Sequence, residues 1–549
     1  MSEIAIVKVR SAHDLEWHPT EPFRRILRLV NRNGLADRVE GTLGQAFMPQ
    51  LTLPYLAGMG RAYNDKYHTD HSFTTIDERE ENLDLEGFDL VLFTAMTPQA
   101  PATYRVADRV RSRGVPVVIG GIHPSTLPKE AAPHATSVVT GEAEMTLFEV
   151  LRDFDGRRLR PLYQGGRAAC LGGLSFPDWR ASQRQDYCPW VVPVQTSRGC
   201  RNACHFCSTT RFQGASRRHR PIEEIVGEIQ RLMDLGVVTR EKQVFFTDNN
   251  IVSDSDHRRG TRDTAYARAL FEALIPLGIH WTGQGEIGVG EDPELVSLMA
   301  EAGCTQLLIG LESINQRSFS GLGKRSNTVE SYASSLETLH RHGIANIGCF
   351  IFGLDEDTPD VFEATTSFIS RYVDIPQLSL LTPYPGTALY RQMEREGRLL
   401  HRDWSCYDIT HVVFQPRAQS PEELERRYAA MNHELFTYPA MLRRALRHAL
   451  RRTVSGCSRT DRFTSTLAPN LVYRGLGRIN RGGGEAAIWR DPELRPALED
   501  LATLGDLAAL GTRLPAERSP LPGPALLAAM LDSDTRARRE RPGSDLRAE

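Results

Sequence analysis

Short apolar segments alternate with helical segments along the first 150 residues, and this alternation restricts the fold more than any other feature. Residues 88–94 (FDLVLFT) form an almost continuous apolar run, typical of a strand buried on both faces. The sequence predicts strands at 3–9, 72–77, 88–94, 115–120 and 137–140, and helices at 51–60, 102–112 and 144–153. Such alternation predicts an α/β fold with a doubly wound, Rossmann-like parallel sheet over residues 1–165.

A second strand–helix series occupies residues 190–400, after a linker at 166–189. It contains predicted strands at 243–247, 307–310, 347–352 and 377–381, and predicted helices at 222–236, 292–303, 328–342 and 359–372. Pro221 is expected at the first position of the first helix. About six parallel units with right-handed crossovers predict a partial (β/α)6 barrel, in which functional residues gather at the carboxyl ends of the strands.

Polar residues and glycines stand where those strands end. They are Asp248, Asn249, Gln284, Glu286, Glu312, Ser313, Gly353, Glu356 and Thr382. Each has a plainer alternative: Asp248 and Asn249 can cap the next element, Glu312 can pair with an arginine, and 353–356 can start a helix. Their repetition at one edge of the barrel is what indicates a site.

The chain after residue 400 is less regular. A mainly helical extension is predicted for 401–480, with one helix starting at 419 and another, rich in arginine, at 441–452. The basic face of the second helix is expected to be exposed to solvent. Residues 481–549 are rich in Gly, Pro, Ala and charged residues, which predicts a variable and partly disordered tail.

Three cysteines lie within one short segment, with the spacing C-x3-C-x2-C: Cys200, Cys204 and Cys207. Soft thiolates favour iron–sulfur clusters, zinc or copper(I) over hard cations. Zinc sites usually need a second, distant ligand pair, which is missing, and three merely buried cysteines at this spacing are the plainest alternative. A cubane cluster normally has four thiolate ligands, so three would leave one iron open to bind a substrate.

Bulk composition excludes several classes of protein. A net charge of −3 gives no basic excess for a nucleic-acid partner. Nine cysteines, an odd number with one tight cluster, argue against a disulfide framework and for a reducing compartment. The first residues do not resemble a signal peptide, and no apolar run reaches the roughly 18 residues that a membrane span needs. We expect a cytoplasmic protein with no membrane span and no nucleic-acid partner.

Three loops of small or polar residues follow successive strands of the first region: residues 94–97, 120–126 and 140–144. In doubly wound sheets, ligands bind outside the carboxyl ends of the strands, where backbone approaches closely. The glycine pair at 120 and 121 would permit that approach, although it can also simply form a tight turn. Together the loops predict a cofactor-binding surface.

The cysteine segment, with Phe206 before its last cysteine, resembles the signature of radical SAM enzymes. Further resemblances follow in barrel order at 245–250 (FFTDNN), 309–313 (IGLES), 351–356 (IFGLDE) and 381–387 (LTPYPGT), although Cys349 replaces a glycine common in the fifth-strand motif. The resemblance implies that Cys200, Cys204 and Cys207 ligate a [4Fe–4S] cluster whose open iron binds S-adenosylmethionine. It assigns to that cofactor Phe206, Asp248, Asn249, Gln284, Glu312, Ser313, Ile351, Gly353, Glu356 and Thr382.

The segments 120–124 (GGIHP) and 140–144 (TGEAE) resemble the domain that precedes the barrel in the cobalamin-dependent radical SAM subfamily. The implied cobalamin contacts are Thr94, Ala95, Met96, Thr97, Gly120, Gly121, Ile122, His123, Thr140, Gly141, Glu142 and Glu144. No D-x-H-x-x-G motif is present, so we expect base-off methylcobalamin without a histidine ligand, and His123 at the corrin periphery. Residues 404–426 resemble the C-terminal extension of hopanoid-methylase-like members.

The resemblance implies a C-methyltransferase that cleaves S-adenosylmethionine to a 5′-deoxyadenosyl radical and methylates an unactivated carbon of a small molecule or peptide. The alternatives are a non-methylating rearrangement, cyclisation or oxidation, then a tRNA methylthiotransferase or a non-catalytic cobalamin sensor. The implied partners are the substrate and an electron donor such as flavodoxin or ferredoxin, and the expected oligomeric state is a monomer. The residues name no catalytic acid or base.

Overall fold

The structure is a computed structural model of the chain. It describes residues 2–11, 50–78, 83–182, 191–202, 204–239, 242–256, 260–324, 326–358 and 360–451, and short stretches between 462 and 473. The predicted tail at 481–549 and Pro359, the predicted start of a helix, lie outside the described residues. None of the described helices combines the length and apolarity that crossing a bilayer requires.

The first sheet has six parallel strands in the order β2-β1-β3-β4-β5-β6, which confirms the predicted doubly wound fold. The strands are β1 (Glu3–Lys8), β2 (Ser72–Asp77), β3 (Leu90–Thr94), β4 (Val117–Gly120), β5 (Ser137–Thr140) and β6 (Leu162–Gln164). The sequence pattern did not predict β6, which has only three residues. The strand order changes direction beside β1, and such a switch point is where these sheets bind ligands.

Five helices cover this sheet: α1 (Thr52–Tyr67), α2 (Ala100–Ser112), α3 (Ile122–Thr126), α4 (Pro128–Ala131) and α5 (Leu147–Asp155). Val91 and Phe93 of β3 pack with α2 on one face, whereas Leu90 and Leu92 pack with α1 and α5 on the other. Because both faces are buried, the strand is apolar from Leu90 to Phe93, as the continuous run predicted.

The second sheet also has six parallel strands, and its order follows the chain: β7-β10-β11-β12-β13-β14. The strands are β7 (Val191–Val194), β10 (Gln243–Phe246), β11 (Trp281–Gly285), β12 (Cys304–Glu312), β13 (Ala345–Phe352) and β14 (Ile375–Leu380). A small antiparallel hairpin, β8 (Ser197–Arg198) with β9 (Arg218–His219), follows β7. This six-stranded parallel sheet is the predicted partial barrel. The domain boundaries at residues 165, 190 and 400 remain predictions.

The helices of the second region are α6 (Ser208–Gln213), α7 (Ile222–Asp234), α8 (Ala265–Leu274), α9 (Pro293–Glu301), α10 (Phe319–Leu322), α11 (Tyr332–Arg341), α12 (Val361–Tyr372) and α13 (Ala388–Arg395). The prediction for Pro221 was wrong by one position. Its ψ of 134° is extended, so it precedes the first helical residue, Ile222. Asp292 does cap α9, because its side chain accepts a hydrogen bond from the Leu295 amide at 3.0 Å.

Two further helices, α14 (Pro421–Leu435) and α15 (Tyr438–Leu450), lie in the C-terminal extension. The expectation of a solvent-exposed basic face on α15 was wrong. Arg444 is 3% exposed and His448 is 1% exposed. Arg447 and the following Arg451 lie 3.7 and 3.2 Å from a carboxylate oxygen of Asp374, a fully buried residue beside β14. The charged face of α15 therefore packs against the barrel.

Candidate active site

The cysteine segment lies between β8 and α6, within the connection of the β8–β9 hairpin that follows barrel strand β7. Three backbone hydrogen bonds fix it. The Cys200 amide donates to Gly214 O at 3.2 Å, the His205 amide donates to Leu322 O at 2.9 Å, and the Leu389 amide donates to His205 O at 3.0 Å. These partners come from three different elements of the barrel, so the tertiary structure holds the segment in place.

The three cysteine side chains are half-buried. Burial raises the pKa of the Cys200 and Cys204 thiols, that of Cys204 to about 12; the Cys207 thiol adds to the rise in both, and the Lys324 charge opposes it. Among the described residues, no group of three His, Cys, Asp or Glu side chains is already arranged to bind a metal ion. The donor set nevertheless fits an iron–sulfur cluster, because three mutually interacting soft sulfurs on one segment would be held as thiolates by the bound iron.

Lys324 and Glu312 form a buried ion pair beside this segment. Lys324 Nζ lies 2.6 Å from Glu312 Oε1 and donates to Gly310 O at 2.7 Å. Glu312 has a φ of 62°, where β12 shifts register against β13. The plainer alternative for Glu312 was an ion pair with an arginine; its partner is instead Lys324, which lies 12 residues further along the chain.

The side chains of Asp248 and Asn249 form hydrogen bonds with residues on either side of the cysteine segment. Asp248 is fully buried and accepts hydrogen bonds from the Thr196 amide at 3.0 Å, the Thr196 hydroxyl at 2.7 Å and the Ser197 hydroxyl. The Asn249 side chain accepts from Thr209 at 3.1 Å and donates to Gln213 Oε1 at 2.7 Å. These partners all precede the two residues in the chain, so none of these bonds caps the next element, and contact with S-adenosylmethionine stays a prediction for both residues.

The remaining predicted S-adenosylmethionine contacts lie along the same edge. Phe206, Gln284 and Ile351 are half-buried, whereas Ser313 and Thr382 are buried. The Ser313 hydroxyl accepts from the Asn315 amide at 3.0 Å, and the Thr382 hydroxyl donates to Leu380 O at 3.1 Å. Glu286, at the end of β11, accepts a hydrogen bond of 2.5 Å from Ser253.

The loop after β13 contains Asp357, a buried carboxylate that the sequence motif did not indicate. Glu356 is exposed, and its backbone oxygen accepts from Asn315 Nδ2 at 2.9 Å. The neighbouring Asp357 is 2% exposed and accepts hydrogen bonds from the Gly353 and Leu354 amides at 3.2 and 3.1 Å. Asp357 therefore holds the backbone of this loop, in which the sequence motif had indicated Glu356 as the functional carboxylate.

The predicted cobalamin loops meet at the carboxyl edge of the first sheet. Gly121 has a φ of 110°, and a Cβ there would lie 2.6 Å from Ala95 O, so the backbone of the second loop rests directly on the first. Met96 and Met145 are 46% and 52% exposed at this edge. Close backbone packing and exposed apolar side chains at one edge fit a large, partly apolar cofactor.

Other predicted residues of these loops are held by the protein itself. Thr94, Gly120, Ile122 and Thr140 are half-buried, and Ala95 and Thr97 are buried. Gly141 has a φ of 84°, and its amide donates to Ser125 Oγ at 3.0 Å. These contacts fix the loop backbone, whereas the cobalamin contacts themselves stay a prediction.

His123 is 1% exposed, and both of its ring nitrogens have partners. Nε2 lies 3.1 Å from Glu130 Oε1, and Nδ1 lies 3.3 Å from Thr97 Oγ1. Trp404, in the C-terminal extension, donates its indole N–H to both carboxylate oxygens of Glu130 at 3.0 Å. The ring therefore lies within the contact between the first domain and the extension, and its predicted place at the corrin periphery has no support from these contacts.

Glu142 and Glu144 pair with arginines of the barrel. Arg218 approaches both oxygens of Glu142 at 2.6 and 3.0 Å, and Arg198 lies 3.2 Å from Glu142 and 2.5 Å from Glu144. Burial alone would raise the pKa of Glu142, but the hydrogen bonds from Arg218 and the Ala168 amide hold it below its ordinary value. Glu142 is thus an anion, and both carboxylate side chains join the first domain to the barrel.

Comparisons with known proteins agree with this arrangement. Residues 194–369 match the Radical SAM superfamily, residues 44–151 match the B12 binding domain, and residues 387–468 match a domain of unknown function, DUF4070. The chain is 30% identical over 436 residues to the bacteriochlorophyllide d C-12(1)-methyltransferase of Chlorobaculum tepidum, which covers 78% of this chain and 91% of the relative. The chain belongs to the cobalamin-dependent radical SAM enzymes.

Two solved structures share this fold. The methyltransferase TsrM of Kitasatospora setae, with cobalamin and a [4Fe–4S] cluster bound, has a TM-score of 0.56 and 16% identity over 92% of this chain and 100% of its own. OxsB, with aqua-cobalamin and S-adenosylmethionine bound, has a TM-score of 0.56 and 13% identity over 92% of this chain and 84% of its own. The family prediction is confirmed: the chain is a radical SAM enzyme of the methyltransferase group, with an iron–sulfur cluster, S-adenosylmethionine and cobalamin as cofactors.

Proposed function

We propose that this cobalamin-dependent radical SAM enzyme methylates an unactivated carbon of a small natural-product molecule, with a peptide as the other substrate class. One observation carries the proposal: the loops at the carboxyl ends of the two sheets meet. Arg198, two residues before Cys200, pairs with Glu144 of the cobalamin loop, and a Cβ at Gly386 would lie 2.6 Å from Thr126 Cγ2. Two cofactors bound at these edges would share one reaction space.

The protein's part is to bind, orient and exclude water, because the cofactors supply the difficult chemistry. When bound, the cluster and S-adenosylmethionine supply a 5′-deoxyadenosyl radical, and cobalamin supplies the methyl group. Cys200, Cys204 and Cys207 would ligate the cluster, and the Glu312–Lys324 pair lies beside the segment that would hold it. The glycine-containing loops after β4 and β5 would support the corrin ring.

Each turnover would balance as follows. The substrate C–H bond breaks and a C–CH3 bond forms, while two S-adenosylmethionine molecules and two electrons are consumed. The products besides methylated substrate are S-adenosylhomocysteine, methionine and 5′-deoxyadenosine, which carries the abstracted hydrogen. The electrons would come from a small reducing protein such as flavodoxin or ferredoxin. Seven described cysteines are free thiols, which supports work in the reducing cytoplasm, and we propose a monomer.

The test is anaerobic reconstitution with iron, sulfide and cobalamin, followed by reduction in the presence of methyl-labelled S-adenosylmethionine. Bacteriochlorophyllide d, the compound in the name of the 30% identical relative, is the first substrate probe, and a small-molecule cell extract is the second. We expect label in a product that is heavier by one methyl group, with 5′-deoxyadenosine formed in equal amount. Cys200→Ala should abolish both products while cobalamin binding persists.

Product mass separates methylation from the alternatives. A product of unchanged or reduced mass, formed with 5′-deoxyadenosine but without label, would indicate rearrangement, cyclisation or oxidation. Cobalamin binding with no cleavage of S-adenosylmethionine after reduction would indicate a sensor. Either result overturns the proposed methyl transfer.

A further inference from the structure

Four charged side chains form what we call the Arg–Glu network: Glu142 and Glu144 in the loop after β5, and Arg198 and Arg218 on the β8–β9 hairpin. Their side chains are 3% to 13% exposed. Arg218 meets Glu142 with two parallel N–H···O contacts, the bidentate geometry that makes arginine–carboxylate pairs strong and directional. Exposed ion pairs contribute little, but this network is shielded from solvent.

Backbone contacts make both ends of the network rigid. Glu142 also accepts a hydrogen bond of 2.8 Å from the Ala168 amide, and Arg218 donates to Ala168 O and, at 2.9 Å, to Gln213 O. The Arg198 guanidinium lies 6.0 Å from the ring centre of Tyr55, at the start of α1. The four charges are thus fixed to three parts of the chain, namely the first domain, the segment after β6, and the barrel.

The network joins the two loops that would hold the cofactors. Arg198 and Arg218 face each other across the hairpin that encloses the cysteine segment. Glu142 follows Gly141 directly in the predicted cobalamin loop, and the exposed Met145 follows Glu144. A change at any of the four charges would therefore shift one cofactor loop relative to the other.

We propose that the Arg–Glu network sets the distance and orientation between the cysteine segment and the cobalamin loop, and so governs how efficiently radical formation leads to methyl transfer. The inference rests on the proposed function, and it makes Glu142, Glu144, Arg198 and Arg218 positioning residues. A displacement of about 1 Å between reacting groups can cost roughly 100-fold in rate. The network would therefore act on coupling, with the binding of each cofactor left intact.

Arg218→Lys tests this proposal, because lysine keeps the charge and loses the bidentate geometry. Arg218→Gln is the second variant, and Arg426→Lys, which alters an exposed pair on α14, is the control. For Arg218→Lys we expect wild-type iron, sulfide and cobalamin content, and a ratio of 5′-deoxyadenosine to methylated product raised by about 10-fold or more. Arg426→Lys should leave that ratio unchanged.

Pulsed electron paramagnetic resonance gives a readout that needs no turnover. Reduced cluster and cobalt(II) cobalamin are both paramagnetic, so their dipolar coupling reports the distance between the two cofactors. We expect a broader or shifted distance distribution in both Arg218 variants. An unchanged distribution and product ratio with only a lower melting temperature would overturn the proposal, as would loss of cobalamin. If the wild-type enzyme methylates nothing, the proposed function fails, and the distance measurement still decides the role of the network.

Discussion

Asp357 is a carboxylate in a loop, where exposure to solvent is expected, yet its side chain is buried. It lies in the loop after β13, accepts two backbone amides, and also accepts a hydrogen bond of 3.0 Å from Ser318. Its burial raises its pKa to about 6. The motif at 351–356 indicated a carboxylate here, but the direction of a side chain in an irregular loop depends on packing, so spacing alone did not separate Glu356 from Asp357.

This pKa predicts a pH-dependent stability. The folded state binds the Asp357 proton more tightly than the unfolded state, whose aspartate pKa is near 4. The stability contributed by that proton is therefore present below pH ~4 and is lost as the pH rises through about 6. Relative to wild type, Asp357→Asn should gain stability by about 2–3 kcal/mol between pH 4 and pH 7, measured by denaturant unfolding at several pH values.

Asp360→Asn is the control, since Asp360 is an exposed carboxylate close to the same loop. Its stability difference from wild type should show no such increase. A pH-independent difference between Asp357→Asn and wild type would contradict the assignment.

Among the helices, α15 shows where periodicity stops being informative. The sequence predicted a helix rich in arginine at 441–452, in agreement with Tyr438–Leu450. The arginines suggested an exposed face because their partner, Asp374, lies more than 70 residues earlier in the chain. Asp374 is fully buried, and His340 Nε2 also approaches it at 2.7 Å. Burial opposes ionisation of Asp374, but His340 and Arg451 hold its pKa well below the ordinary value.

Asp374→Asn should therefore loosen the C-terminal extension. Removing the carboxylate leaves Arg447 and Arg451 without this buried counter-charge, and breaking a buried ion pair in this way costs about 3–5 kcal/mol. We expect a lower melting temperature and faster proteolysis within α14 and α15, followed by mass spectrometry. Glu423→Gln, which removes an exposed carboxylate paired with Arg426 and Arg427 on α14, should change the cleavage rate little. Equal cleavage rates in the two variants would refute the role of Asp374.

At the scale of the whole molecule, the sequence missed β6, β7 and β11 but predicted both parallel sheets and their other strands. These features follow from local patterns and from the handedness of strand–helix–strand units. The cluster-binding segment was also predictable from the sequence, because its three cysteines lie within eight consecutive residues. The contacts between regions were not, since pairs such as Glu130 with Trp404 are 274 residues apart and have no local signature.

Trp404→Phe tests the contact between the extension and the first domain. Phenylalanine keeps an aromatic ring but removes the N–H that Glu130 accepts, which frees Glu130 and the His123 bound to it. We expect cobalamin affinity, measured by absorbance titration of the cofactor-free protein, to fall by about 10-fold or more, since a hydrogen bond to a charged group contributes about 1.5–3 kcal/mol.

Trp179→Phe is the matched control. Trp179 is buried, and its indole N–H has no hydrogen-bond partner among the described residues. Its loss should leave cobalamin affinity unchanged. A similar loss of affinity in both variants would show that Trp404 acts through general destabilisation.

The Arg–Glu network has a consequence for how such enzymes can be recombined. Its acidic members lie before residue 145 and its basic members after residue 197, so any crossover in the intervening linker separates acids from their bases. A hybrid that takes its cobalamin domain from one parent and its barrel from another combines glutamates and arginines that did not evolve together, so the two sides of this interface need not match. Functional chimaeras should therefore require exchange of the 140–144 loop together with the β8–β9 hairpin, as one inherited unit split across two domains.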